Sequence, residues 1–295
     1  MYRCGVDLGG TKIEGVVLDE AGTIQFRQRI PTHREQGYEF ILNQIATLYR
    51  QMQRHTAQQE HTLGIGTPGA ISRKTGLLKN SCTLCLNDKP LQQDLEQLLN
   101  HRLVLQNDAN CFALAEAEQG AAIAQDIVFG VIMGTGCGGG IVIHGDVLLG
   151  RQAIAGEWGH TSIDPQGPLC WCGARGCVET LISGFGVETL YQQQAGTRLP
   201  LTEIVERYRR GEEPAKSVMQ QFFEHFGRAI ANVINILDPD VVVLGGGLSN
   251  MDELYSVGVR SVARQVFSDE FNTPIVKNRL GDSAGVIGAA LIGVK

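Results

Sequence analysis

Apolar positions near the start of the chain recur at every second residue. Cys4, Val6 and Leu8 fall on one side, Gly9-Gly10 interrupts, residues 13–18 resume the alternation, and Ala21-Gly22 turns into residues 23–30. Alternation broken by glycine turns predicts three strands joined as hairpins, not a strand–helix–strand unit. The period then changes. Tyr38, Ile41, Ile45, Leu48 and Met52 repeat at helical spacing, which predicts one amphipathic helix within 37–59. A strand at 63–66 runs into the turn Thr67-Pro68-Gly69-Ala70, residues 76–87 show no clear period, and Leu91, Leu95, Leu98 and Leu99 mark a helix over 91–100. A short strand at 102–106 ends on Asn107-Asp108-Ala109-Asn110, and a helix over 109–120 begins at once.

The second half repeats the first. The pattern predicts a strand at 127–133, a glycine turn at 134–140, a strand at 141–144, a turn at Gly145-Asp146 and a strand at 147–149. Helices follow at 183–195, 201–210 and 215–237. The last is apolar at Val218, Phe222, Phe226, Ile230, Val233, Ile234 and Leu237 and is stopped by Asp238-Pro239. Residues 241–244 are all apolar, as in a buried parallel strand. Gly245-Gly246-Gly247-Leu248-Ser249 is expected to open a helix, and residues 275–279 form a last strand. A final helix carries Gly288, Ala289 and Ala290, small enough for close packing.

Composition narrows the class. A length of 295 residues suits two α/β domains sharing a cleft, and 43% hydrophobic residues suffice for a sizeable core. The formal net charge is −6 with no basic stripe, which argues against nucleic acid as a partner. Eight cysteines occur without a signal peptide or an apolar run long enough for a membrane, so thiols in a reducing cytoplasm are expected, not a disulfide framework.

Chemistry concentrates in a few stretches. His160, Cys170, Cys172 and Cys177 follow the pattern H-x9-C-x-C-x4-C, and Gly173 and Gly176 supply turns that let the thiolates converge. Three sulfurs and one imidazole are a soft tetrahedral set, expected to hold a structural zinc with no open position. Glu157 and Glu179 bracket that loop. Near the start, Asp7-Leu8-Gly9-Gly10-Thr11-Lys12 sits at a tight turn. It reads either as a phosphate hairpin, with Asp7 placed for Mg²⁺ and Thr11 and Lys12 adding a hydroxyl and a cation, or as an ordinary glycine hairpin. Gly134-Thr135-Gly136-Cys137-Gly138 would be its equivalent in the second half. A strand follows it instead of a helix, so it is no dinucleotide fingerprint. Asp108, between a strand end and a helix start, is either a ligand-binding carboxylate or a plain N-cap. Gly246 and Gly247 can admit an adenosine or a phosphate or simply make a tight turn. Cys82-Thr83-Leu84-Cys85 lies in a loop, where a redox pair is not expected.

These pieces together resemble the ROK family of sugar kinases and repressors, within the actin/hexokinase-like (ribonuclease H-like) fold. The resemblance rests on Asp-x-Gly-Gly-Thr-Lys at 7–12, Asn-Asp-Ala-Asn at 107–110, Glu-x-Gly-His at 157–160, Cys-x-Cys-Gly-x-x-Gly-Cys-x-Glu at 170–179 and Gly-Gly-Gly at 245–247. It implies a smaller domain over 1–112, onto which a helix at 283–295 packs back, and a larger one over 113–282 with a zinc loop at 156–180. It implies sugar contacts from Asn107, Asp108, Glu157, His160 and Glu179, joined by Gly69 and Asn80, with Asp108 as base and His160 also on zinc. Lys79-Asn80 and residues 155–160 and 235–240 look most like bacterial fructokinases.

The expectation is therefore an ATP-dependent hexose kinase acting on O6, with fructose first and mannose next. N-acetylglucosamine kinase or glucokinase is the alternative. A repressor is the remote one, since the family's repressors carry a helix-turn-helix before the first hairpin and only six residues precede Asp7. ATP, Mg²⁺ and zinc are the expected cofactors. Relatives are often dimers, so a homodimer is the expected assembly.

Overall fold

The computed structural model describes residues 1–56 and 59–293. Strands β1 (Tyr2–Leu8), β2 (Lys12–Leu18) and β3 (Ile24–Pro31) form an antiparallel meander. Helix α1 (Tyr38–His55) leads to β4 (His61–Thr67), parallel to β1. A small ribbon of β5 (Ala70–Ile71) and β6 (Leu78–Lys79) and helix α2 (Leu91–Leu99) precede β7 (Val104–Asn107), parallel to β4. The sheet order is β3-β2-β1-β4-β7. Helix α3 (Asp108–Gln119) follows without a linker.

The plan then recurs. Strands β8 (Ile127–Met133), β9 (Cys137–Ile143) and β10 (Asp146–Val147) make a second meander. Helices α4 (Val178–Ile182), α5 (Gly184–Ala195), α6 (Leu201–Arg209) and α7 (Ala215–Leu237) come before β11 (Val241–Gly245). After α8 (Val257–Ala263) comes β12 (Ile275–Lys277), and α9 (Ala284–Ile292) follows it. The order β10-β9-β8-β11-β12, with β11 parallel to both neighbours, matches the first sheet strand for strand.

Period and packing agree. Cys4, Val6 and Leu8 enter one core with Ile41, Ile45, Leu48 and Met52 of α1. Phe222, Phe226 and Ile230 of α7 bury in the other core, at about 1.5–3 kcal/mol for each side chain. The opposite faces of the two sheets meet α3 and α9. A Cβ on Gly5 would lie 2.4 Å from the Val286 carbonyl, and one on Gly64 1.9 Å from that of Ala289. One on Gly288 would lie 1.8 Å from the Cys111 carbonyl, so α3 and α9 touch backbone to backbone. Glu116, fully buried on α3, accepts from the amides of Ala121, Arg279 and Leu280 at 2.8–3.0 Å. It ties the end of β12 to α3.

Several expectations need correction. The glycine turn after β8 ends at Gly136, and Gly138, Gly139 and Gly140 are strand residues of β9. Their task is clearance. A Cβ on Gly138 would lie 3.2 Å from that of Ala109, one on Gly139 2.5 Å from Trp158 Cδ1, and one on Gly140 2.5 Å from the Ala109 carbonyl. The helix expected after Gly245 breaks into two 3₁₀ turns, Gly247–Asn250 and Asp252–Tyr255, before α8. Gly246 turns the chain at φ 77° instead of starting a helix, and a Cβ there would lie 2.3 Å from the Met133 carbonyl. The strand at 147–149 shrinks to β10. The predicted ends of two helices, at 57–58 and 294–295, lie outside the described residues. Among the described residues no helix is long and apolar enough to cross a membrane.

Candidate active site

Asp108 opens α3 directly after the last residue of β7. The N-cap is its neighbour: Asn107 Oδ1 accepts from the Ala109 amide at 2.9 Å, while its Nδ2 donates to the Gly69 carbonyl at 3.2 Å. That bond fixes the Gly69 turn, where φ is 87° and a Cβ would lie 2.4 Å from the Lys79 carbonyl. Asn80, exposed and left-handed at φ 59°, stands on the ribbon beside that turn. Asp108 Oδ1 accepts the same Ala109 amide at 2.8 Å. Burial pushes the Asp108 carboxyl up to about 6; the amide bond opposes this and the charge of Glu157 adds to it. The capping duty thus falls to Asn107, and Asp108 is a half-buried carboxylate whose carboxyl is raised toward neutrality.

The loop at 156–180 carries two further acids, Glu157 and Glu179, and the charge of Glu157 reaches Asp108. His160 closes a 3₁₀ turn, Trp158–His160. Its Nδ1 lies 3.6 Å from Cys170 Sγ, Cys172 Sγ lies 3.6 Å from Cys177 Sγ, and the four donor atoms all fall within 4.8 Å of one another. A tetrahedron with bonds of about 2.3 Å has edges of about 3.7 Å, so the residues present fit zinc. With Nδ1 turned to the ligand set, Nε2 is left for another partner. The Glu157 carboxyl is pushed up by burial and drawn down by His160 and Lys79. Glu179 Oε2 accepts from the Cys137 amide at 3.1 Å and Oε1 from Trp171 Nε1 at 2.9 Å. Gly136 makes room for it, since a Cβ there would lie 2.4 Å from Oε2.

On the other side of Asp108 lies a cavity of about 380 Å³ at the carboxyl ends of β1, β11 and β12. Asp7, Gly9, Lys12, Asp108 and Gly246 line it. This is where open α/β sheets bind ligands. Burial, then the charges of Asp108 and Glu14, push Asp7 up to about 7, with Lys12 and Arg29 opposing. Glu14 itself is buried between Arg27 and Arg29, at 2.5 and 2.7 Å. Gly10, Thr11, Gly134, Thr135, Gly136, Gly138 and Gly247 are not among the lining residues. Ser249, Lys277, Asn278 and Arg279 are, and the sequence reading did not single them out. Their signal was their place at the ends of two strands: Lys277 closes β12, Asn278 and Arg279 follow it, and Ser249 lies four residues beyond β11. Across the cleft, Lys79 Nζ donates to the Gln152 carbonyl at 3.1 Å and Arg73 to that of Arg151 at 3.3 Å.

A model of the ROK family matches residues 3–295. The chain belongs to the ROK family. Its relatives include the N-acetyl-D-glucosamine kinase of Pasteurella multocida (strain Pm70), 37% identical over 302 residues and covering 98% of both chains. Among solved structures, the ROK hexokinase from Thermus thermophilus superposes with a TM-score of 0.89 at 32% identity, over 99% of this chain and 97% of that one. A ROK family glucokinase from Streptomyces griseus, in complex with glucose and AMPPNP, gives 0.82 at 27% identity over 99% of each. The fold is the actin/hexokinase-like one, with two α/β domains, and the chain is a sugar kinase of this family. In this ROK protein, Asp108 lines the cavity that holds Asp7 and feels the charge of Glu157 on the Cys/His loop.

Proposed function

We propose that the chain transfers the γ-phosphoryl group of ATP to the 6-hydroxyl of a hexose, with Asp108 as general base. The observation that carries this reading is the position of Asp108. Its carboxyl, pushed up to about 6, lines the Asp7–Lys12 cavity and feels the charge of Glu157 on the other side. A base with a pKa near the working pH takes a proton efficiently, and such help is worth roughly 10²–10⁴-fold. Asn107, Glu157, His160 and Glu179 hold the sugar hydroxyls, with Gly69 and Asn80 at the rim. Lys12 and the Gly9 turn hold phosphate, and Mg²⁺ beside Asp7 supplies charge neutralisation. A zinc held by His160, Cys170, Cys172 and Cys177 would be structural, fixing His160 and, through the loop, Glu157 and Glu179.

For the sugar, N-acetylglucosamine stands first, because the relatives similar over nearly the whole chain carry that name. That displaces the order suggested by motifs alone. Fructose stands second, on the segments Lys79-Asn80, 155–160 and 235–240. The test is kcat/KM with Mg·ATP for N-acetylglucosamine, fructose, mannose and glucose. A preference for N-acetylglucosamine supports the first reading, a preference for fructose moves the assignment to the second, and inertness toward all four refutes the kinase reading.

A further inference from the structure

The segment after β3 is fastened to the first glycine turn. The Thr32 amide donates to the Thr11 carbonyl at 3.0 Å, and its hydroxyl to that of Gly9 at 2.7 Å. His33 then takes a left-handed conformation, φ 51°, rare for a residue with a side chain. This turns the chain so that the following residue, Arg34, comes over Gly10. A Cβ built on Gly10 would lie 3.7 Å from Arg34 Nη1 and 3.6 Å from Thr83 Oγ1. The Cys85 thiol fastens the other side, donating to the Arg34 carbonyl at 3.8 Å.

Two polar groups in this niche are unengaged by other side chains among the described residues, Thr83 buried and Arg34 exposed. Thr83 is 1% exposed, and its hydroxyl finds no hydrogen-bond partner among the described residues. An orphaned buried hydroxyl is costly, and this one leaves its hydrogen-bonding capacity unspent beside Gly10. Arg34 forms no ion pair within 4.0 Å among the described residues. The nearest acid on its turn, Glu35, is engaged by His33 Nδ1 at 3.1 Å. The niche stands over the same glycine turn whose Gly9 and Lys12 line the cavity with Asp7 and Asp108. Burial pushes the Cys82 thiol up, the charges of Asp108 and Glu179 add to this, and Arg34 opposes it, so Cys82 is within electrostatic reach of all three.

We propose that Arg34 grips the phosphoryl group during transfer, its guanidinium and the Thr83 hydroxyl donating to the group's oxygens above Gly10. This rests on the kinase reading and adds to it two residues outside the motifs that carry the resemblance. In the step, the sugar O6 forms a bond to the γ-phosphorus and the bond from that phosphorus to the β–γ bridging oxygen breaks. ADP leaves with that electron pair, and the hydroxyl proton passes to Asp108. The migrating group carries its charge on three equatorial oxygens, which a planar guanidinium with several donors matches.

Kinetics of Arg34→Gln, Arg34→Lys and Arg34→Ala, on whichever sugar the wild type phosphorylates, test it. Arg34→Gln should lower kcat by about 10²–10³-fold while the sugar KM stays within about threefold. Arg34→Lys should recover part of the loss, and guanidinium ions added to Arg34→Ala should raise its rate. Thr83→Val should lower kcat by about three- to tenfold. Affinity for the sugar 6-phosphate should fall about tenfold in Arg34→Gln, with that for the sugar unchanged. An Arg34→Gln enzyme with kcat within about threefold of wild type overturns the proposal. So does a loss that falls wholly on the sugar KM. A wild type inert toward all the sugars overturns the kinase reading itself, and this inference with it.

Discussion

Replacing Asp108 by Asn should separate what the carboxylate does for the reaction from what it costs the fold. The Asn side chain keeps the acceptor that meets the Ala109 amide at 2.8 Å, so the start of α3 is preserved. It cannot take a proton. We expect kcat to fall by roughly 10²–10⁴-fold, with sugar affinity changed only a few-fold. The wild-type kcat/KM should rise with pH through about 6, as the carboxyl ionises. That acid limb should be missing from the residual activity of the variant. Stability should move the other way. A carboxyl raised from 3.8 to about 6 binds its proton more tightly in the folded chain than in the unfolded one. Folding is therefore favoured at low pH and disfavoured as pH rises between those two values. At pH 7.5 the ionised group costs on the order of 3 kcal/mol, falling to about half of that near pH 5 and to a small remainder near pH 4. Asp108→Asn removes the cost. The ligand-free variant should melt roughly 5–10 °C above wild type at pH 7.5, and the gap should close as the buffer is taken to pH 4. Calorimetry across that range, beside steady-state kinetics, reads both effects. Wild-type kcat in the variant, or a melting temperature no higher than wild type at pH 7.5, would show that Asp108 is neither the base nor a strained buried charge.

Other parts of the structure give shorter tests. Gly288→Ala places a methyl 1.8 Å from the Cys111 carbonyl, so α3 and α9 must separate. Denaturant unfolding should show a loss of about 3 kcal/mol or more. Cys177→Ser removes one of the four donors within 4.8 Å. Metal analysis should find less than one zinc per chain, and the sugar KM should rise about 10–100-fold as Glu179 and His160 lose their support. Lys79→Ala breaks the 3.1 Å bond to the Gln152 carbonyl. The cleft should open in the absence of ligand, seen as a larger radius of gyration by small-angle scattering that shrinks when sugar is added.

Much of this was legible because the deciding contacts are local. Alternation around Gly9-Gly10 and again around Gly134 gave both meanders, and the 3.6-residue period gave α7 at its observed limits and α1 about one turn too long at its C-terminal end. The donor set His160, Cys170, Cys172 and Cys177 could be read from residue type and spacing, since one short loop holds all four. Failures came where a residue's task is set by a distant partner. Gly138–140 looked like part of a phosphate turn. What they accommodate is Ala109, about thirty residues earlier, and Trp158, some twenty later, and no window along the chain contains both. Lys277 and Arg279 look like ordinary surface cations until the parallel pairing of β11 with β12 sets them at the cavity. Asp108 could also be read as an N-cap, and only the geometry of Asn107 gave that duty to its neighbour.

The pKa values of the two shared carboxylates bear on how the cleft works. Asp7 and Asp108 are each raised chiefly by burial, and Asp7 also by the charge of Asp108. In the ligand-free protein near neutral pH the site therefore holds negative charge that the fold disfavours. Lys12 and Arg29 compensate Asp7 only in part. A cation beside Asp7, or a guanidinium drawn toward a bound phosphate, would relieve that charge. The relief appears as binding free energy that an open, solvated site would not supply. It follows that Mg·ATP should stabilise the protein more than ATP with the metal chelated, and that the difference should shrink in Asp7→Asn. Equal stabilisation by the two forms in the wild type would mean that Asp7 does not face the nucleotide's metal, and the nucleotide side would have to be reassigned within the cavity.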